Sequence, residues 1–204
     1  MKTLFIEARS NLDVTLSREQ IAKLPKKVGI ATTIQHLHKI KDVQKQVPGS
    51  VMAGQVLGCD VSAAKKIMEK VDAFLYVGSG AFHPLGIAIE TGKDVFCFNP
   101  STGKLSKIGK GEVEKYNKRK KTSLIKFLSA DKVGILVSAK PGQSRMEDAK
   151  RLAKRKDKEY FIFAFDTLNT MDLENFPFIQ CWVNTACPRI ADEKANIVNI
   201  DDIK

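Results

Sequence analysis

The sequence is short of the residues that mark the commonest recognition and redox chemistries. Aromatics make up 7% of the 204 residues, with one Trp and three Tyr. The stacking platforms of a single-strand RNA binder are therefore missing, and direct nucleic-acid binding is not expected. The four cysteines, at 59, 97, 181 and 187, form no CxxC pair, which excludes by spacing a thioredoxin motif and a zinc ribbon. No apolar stretch approaches the roughly 18 to 20 residues of a spanning helix; the longest are short runs such as 73–77 and 161–165. Glu7 and Arg9 interrupt the N-terminus before a signal-peptide core forms, so a cytoplasmic protein with no membrane partner is expected. No Ser/His/Asp order and no paired carboxylates stand beside a glycine-rich turn, which argues against a hydrolase. Acids are also scarce, 23 against 34 Lys and Arg, a formal charge of +11.

The basic excess is uneven. Residues 104–126 hold nine basic and two acidic side chains, and residues 140–158 hold eight and three. Such fields suit a polyanionic partner and equally a solvated helix face.

Short β-rich runs alternate with helical periods. Residues 3–8, 28–33, 51–56, 73–77 and 95–98 read as strands, and 35–47, 60–71 and 84–91 as helices between them. The helix from Asp60 has an Asp cap and then Ala63, Ala64, Ile67, Met68 and Val71 at helical spacing. Strands separated by helices predict parallel βαβ units. After Asn99-Pro-Ser-Thr-Gly103 a Lys-rich turn and helix follow, and then strand 133–138, helix 143–155, strand 160–165, a short helix near 171–176 and strand 179–183. The expected architecture is α/β, two similar parallel-sheet domains over 1–105 and 132–204, joined by a basic linker helix over 106–131. An active cleft is expected between them, at the strand carboxyl ends. Lys27-Val-Gly-Ile30 and Lys132-Val-Gly-Ile135 echo one another as strand openings, which is consistent with related halves and with chance.

Position sorts the cysteines. Cys97 and Cys181 fall inside strands, where cysteine is a small buried hydrophobe. Cys59 follows Val56-Leu-Gly58 at a strand end, and Cys187 follows the 179–183 strand just before Pro188. Ligands of open α/β sheets gather beyond such carboxyl ends; spacing alone leaves open whether the two are packed cysteines or ligands of one metal site. Tyr76-Val-Gly-Ser-Gly-Ala-Phe-His-Pro-Leu-Gly86 is a glycine-rich strand-to-helix turn able to offer backbone N–H groups to an anion, although it matches neither GxGxxG nor the P-loop. Ser138-Ala-Lys-Pro-Gly-Gln143 occupies the corresponding edge of the second half. His36 and His38, two apart, face different sides of a helix and do not chelate.

Taken together, Gly29-Ile-Ala-Thr-Thr-Ile-Gln-His-Leu-His38, Gly54-Gln-Val-Leu-Gly-Cys-Asp60, the 76–86 turn, Ser138-Ala-Lys-Pro-Gly-Gln143 and Val183-Asn-Thr-Ala-Cys-Pro-Arg-Ile190 resemble the 2-(3-amino-3-carboxypropyl)histidine synthases, the first enzymes of diphthamide biosynthesis. The likeness runs from near residue 1 to about residue 192. It implies a radical enzyme of three similar α/β domains, each giving one cysteine to a 4Fe-4S cluster. S-adenosylmethionine binds the remaining iron, and its reductive cleavage yields a 3-amino-3-carboxypropyl radical that alkylates a histidine of the translation elongation factor. Cys59 matches the middle domain's ligand and Cys187 the last domain's, whereas Cys97 and Cys181 match none. Gly78, Ser79, Gly80 and His83, with Gln143, are the expected contacts of S-adenosylmethionine.

The sequence departs from that pattern by beginning where the middle domain begins. Two of three cluster thiolates are thus accounted for, and a separate chain carrying the N-terminal domain and third cysteine is the expected partner, beside the elongation factor. An apolar surface near residues 53–57 and Phe82 is expected to meet that partner. The alternatives are a fragment of a longer chain, a non-catalytic scaffold subunit of the same enzyme and an unrelated nucleotide-binding α/β protein.

Overall fold

The computed structural model describes residues 4, 6–192, 194 and 196–203. The chain divides into two compact units, Met1–Glu114 and Lys115–Lys204.

In the first unit β1 (Val28–Thr32), β2 (Val51–Gln55), β3 (Ala73–Val77) and β4 (Asp94–Asn99) are parallel, and β5 (Lys104–Lys107) returns antiparallel to β4. Their spatial order is β2-β1-β3-β4-β5. β1 and β3 are buried at every residue, as a sheet covered on both faces demands. Side chains alternate between two cores. Val28, Ile30, Leu75 and Val77 meet Ile40 and Val43 of α2 (Ile40–Gln46) on one face, together with Val14 and Leu16 of the segment before α1 (Arg18–Ala22). Ala31, Phe74 and Tyr76 meet Ala64 of α3 (Ser62–Lys65) and Ile87 and Ala88 of α4 (Phe82–Thr91) on the other. α4 carries Pro84 in its first turn, where a missing N–H costs nothing, and stops at Gly92 with φ 67°.

In the second unit β6 (Lys132–Ser138), β7 (Glu159–Phe165), β8 (Cys181–Asn184) and β9 (Ile197–Asn199) are all parallel, in the order β7-β6-β8-β9. α6 (Met146–Ala153) covers one face with Ala149 and Leu152, joined by Phe127 and Ala130 at the end of α5 (Lys110–Ser129). On the other face Phe163, Phe176 and Trp182 pack edge to face, with centroids 4.7 to 6.1 Å apart. Aromatic area there does the work of a second helix layer.

The KVGI echo has a common physical cause. In both units the glycine lies on a central strand directly beside a large ring of the neighbouring strand. A Cβ on Gly29 would stand 2.7 Å from Phe74, and one on Gly134 would stand 2.4 Å from Trp182. The four parallel strands of the two units also share one order.

Several expectations are corrected. Of the strand expected over 3–8, residues 3 and 5 lie outside the described residues, and residues 4 and 6–8 form none; Leu4 and Ile6 are exposed and have no sheet face to join. The helix expected over 60–71 splits into α3 and a 3-10 turn at Met68–Lys70, because Ile67 leaves helical geometry (φ −117°, ψ 1°). Asp60 does not occupy the N-cap, which is Val61; its carboxylate accepts the Ser62 N–H at 2.9 Å from one residue earlier. The helix expected from Gln143 begins at Met146, leaving Gln143 in an exposed turn. The basic helix expected over 106–131 is α5, and from Lys115 it belongs to the second unit. Missed altogether were β5, β9 and α1. The last carries a legible signal, the Ser17-Arg-Glu-Gln20 capping box, in which Ser17 Oγ accepts the Gln20 N–H and Gln20 Oε1 accepts the Ser17 N–H.

Candidate functional site

In the first unit two loops at the carboxyl ends of the strands are built as one piece. Cys59 sits at the tip of a tight turn closed by paired hydrogen bonds between Leu57 and Asp60, and it is exposed. That turn lies on α4. A Cβ on Gly58 would fall 1.8 Å from the Phe82 ring, and one on Gly86, a turn further along the same helix face, would fall 3.2 Å from the Gly58 carbonyl oxygen. Only glycine lets the Cys59 turn and α4 approach this closely. The Ser62 N–H and hydroxyl hold the Asp60 carboxyl below the usual carboxylate range.

The glycine-rich segment leads directly into α4. Gly78 is buried, Ser79 and Gly80 are exposed, and Gly80 adopts φ 76°. His83 stacks on Tyr76 with centroids 6.0 Å apart and planes 11° apart, and it meets Phe82 edge-on at 5.6 Å. Burial first, then the Cys97 charge, pushes the Tyr76 phenol up to about 12. Beneath the turn a cavity of about 320 Å³ is lined by Gly78, Gly80, Cys97, Asn99, Lys107 and Glu112, among others.

Cys97 is thus half-buried beside a cavity rather than sealed in the core as expected. Its thiol is nevertheless held protonated, pushed up to about 12 by burial and then by the Glu112 carboxylate. Cys181 is fully buried, donates toward the Asn196 carbonyl at 3.3 Å, and is pushed up to about 11 by burial. Neither is a ready thiolate.

In the second unit Cys187 lies beyond β8 in a loop that is heavily tied down. Asn184, 1% exposed, donates through Nδ2 to the Cys187 carbonyl at 2.9 Å and to Asn199 Oδ1 at 2.7 Å, while its own Oδ1 accepts the Ala186 N–H at 3.0 Å. The Ile190 N–H also donates to the Cys187 carbonyl, and the Thr185 hydroxyl donates to the Leu136 carbonyl at 2.8 Å. Sequence reasoning missed Asn184 and Thr185, although a polar pair ending an apolar strand is the available signal. Asn184→Ala leaves three buried or half-buried partners short of a bond and is expected to cost about 2 to 3 kcal/mol. Urea unfolding followed by the fluorescence of Trp182, the sole tryptophan, measures it; a loss below about 0.5 kcal/mol would show that this amide does not hold the loop.

His36 and His38 part as expected: His36 is buried, His38 exposed. His36 Nδ1 has no hydrogen-bond partner among the described residues. Burial first, then the Lys39 and His38 charges, lowers its pKa below 6.5. A base whose folded pKa is depressed contributes stability that is intact above its unfolded pKa and lost as pH falls below it. The urea midpoint is therefore expected to drop between pH 7.5 and pH 5.5, and to drop less in His36→Phe; equal drops would remove His36 as the cause.

Among the described residues no three His, Cys, Asp or Glu side chains gather into a metal site, and no helix is long and apolar enough to cross a membrane. Of the apolar surface expected over 53–57 and Phe82, Leu57 is exposed, Ala53 is half-buried and Val56 is buried, while Phe82 is turned onto Gly58.

The two α/β units, built on mainly parallel sheets, each present one cysteine on a loop beyond the strand ends. The chain belongs to the diphthamide synthesis protein family, which residues 1–195 match. It is 33% identical to the 2-(3-amino-3-carboxypropyl)histidine synthase of Pyrococcus horikoshii, across 92% of this chain and 59% of that protein. The crystal structure of Dph2 from Pyrococcus horikoshii with a 4Fe-4S cluster superposes with a TM-score of 0.77, at 32% identity over 91% of this chain and 58% of that one. The Methanocaldococcus jannaschii synthase is 34% identical over 81% of this chain and 46% of its own length. A Caenorhabditis elegans relative, 27% identical over 68% of this chain and 35% of its own length, is named subunit 1 of the synthase. The chain spans about half the length of the curated relatives it matches.

Proposed function

We propose that this chain is part of a cytoplasmic transferase that moves the 3-amino-3-carboxypropyl group of S-adenosylmethionine to a histidine of the translation elongation factor. Cys59 and Cys187 are two thiolate ligands of a 4Fe-4S cluster. A cluster that keeps one iron for substrate takes three thiolates, so the donor set of these 204 residues fits in part, supplying two of the three. When bound, the cluster supplies the electron that opens the sulfonium C–S bond. The chain's own residues do the rest: Gly78, Ser79, Gly80 and His83, with Gln143 from the second unit, hold the methionine carboxylate by hydrogen bonding.

The observation that carries this reading is the division among the four cysteines. Two stand on loops beyond the strand ends, and the other two are held protonated inside strands. The Pyrococcus horikoshii structure with its 4Fe-4S cluster supports it. The test is anaerobic reconstitution of this chain alone and together with a second chain carrying the third cysteine. Iron and sulfide are counted, and transfer to the elongation factor is assayed under dithionite. The chain alone is expected to hold cluster poorly and not to turn over, and the pair to be active. Turnover by the chain alone overturns the need for a partner; a correct pair that stays without cluster moves the conclusion to a scaffold subunit.

A further inference from the structure

The contact between Phe82 and Gly58 joins two segments that are 24 residues apart in sequence and that the proposed function needs at a fixed spacing. One ends in Cys59 and the other begins with Gly78-Ser-Gly80. α4 faces the Cys59 turn with Phe82 and Gly86, one helical turn apart and so on one side. The ring meets the backbone of Gly58 so closely that any Cβ there would stand within 1.8 to 2.5 Å of three ring carbons. From the same end of α4, His83 leans on Phe82 and stacks on Tyr76, a residue of the buried strand β3. The chain of contact runs from β3 through Tyr76, His83 and Phe82 to the turn bearing Cys59. The turn is closed by two backbone hydrogen bonds between Leu57 and Asp60.

We infer that Phe82 is a positioning residue, acting through Gly58 to hold the Cys59 thiol in register with the glycine-rich turn. The functional meaning of that register rests on Cys59 being a cluster ligand; the contact and its effect on the thiol do not. The ring packed on Gly58 sets where the turn, and with it the Cys59 thiol, stands relative to α4. A displacement of about 1 Å at a reacting group is enough to cost on the order of a hundredfold in rate. The ring supplies the grip at small entropic cost, because it has only two side-chain torsions.

The experiment measures alkylation of Cys59 and Cys187 by iodoacetamide in the intact chain, by peptide mass spectrometry, for the wild type, Phe82→Ala and Phe82→Leu. Phe82→Ala is expected to change the Cys59 rate by about tenfold through local opening, with the Cys187 rate unchanged. Phe82→Leu, which refills most of the volume, restores the wild-type rate. An unchanged Cys59 rate in Phe82→Ala overturns the inference, and so does a parallel change at Cys187, which would mean general loosening. With the third thiolate supplied, the electron paramagnetic resonance line shape of the reduced cluster is expected to alter in Phe82→Ala and recover in Phe82→Leu. Failure of the wild type to bind iron would count against the proposed function and leave the alkylation result to decide the role of Phe82.

Discussion

Cys59→Ser and Cys187→Ser are each expected to cut the iron bound by the reconstituted complex to below about one-tenth of the wild-type value, and to abolish group transfer. Cys97→Ser and Cys181→Ser should keep both. The argument is positional and electrostatic together. A serine hydroxyl at a loop tip remains a neutral alcohol at neutral pH and does not replace a thiolate on iron. Inside β4 and β8 the thiols already behave as neutral side chains, because burial disfavours their charged forms. Cys181→Ser does carry a packing cost, since a hydroxyl replaces a sulfur in the apolar core around Val133 and Val183. That cost is expected to be about 1 to 2 kcal/mol, visible in urea and not in iron content. Loss of iron in Cys97→Ala with retention in Cys59→Ser would invert the assignment.

Gly134→Ala is expected to destabilise the second unit by about 3 kcal/mol, the upper end of what overpacking costs. The added methyl meets Trp182 Cε3 and Cζ3 at 2.4 Å and the Ile179 side chain at 3.2 Å. The indole cannot swing away, because Phe163 and Phe176 already flank it at 4.9 and 6.1 Å. Gly29→Ala should cost less. Its nearest neighbour is a Phe74 ring edge at 2.7 Å, and the next is the flexible end of Ile67 at 3.0 Å. Urea titrations of the two variants, with Trp182 fluorescence reporting on the second unit, give the comparison. A Gly134→Ala midpoint equal to the wild type would mean that the aromatic cluster yields more readily than its packing indicates.

What could be read from the sequence follows from how each element earns its burial. β1, β3, β6 and β8 are central parallel strands, buried on both faces, so they appear as continuous apolar runs, and the extent of β3 is legible to the residue. β5 is a four-residue edge strand with lysine at both ends, and β9 has three residues; neither is long enough to show a period. The 60–71 segment shows the opposite failure. Its apolar spacing is helical, but those side chains serve one core from two short turns rather than one helix. For the site, the loops of Cys59 and Cys187 were legible as strand endings. The Phe82–Gly58 contact and the Asn184 network were not, because they join atoms by shape and by side-chain amide geometry, which leave no period along the chain.

The shared strand order of the two units puts β7 in the place of β2 and β8 in the place of β3. Cys59 follows β2, but Cys187 follows β8, so the counterpart of the Cys187 loop in the first unit is the Gly78-Ser-Gly80 turn, and the counterpart of the Cys59 turn is the stretch after Phe165. If an ancestral α/β unit was duplicated, the cysteine was not copied with it. The two copies then carry their loop cysteine at different strand ends, so the repeat survives in the backbone while the placement of sulfur is asymmetric.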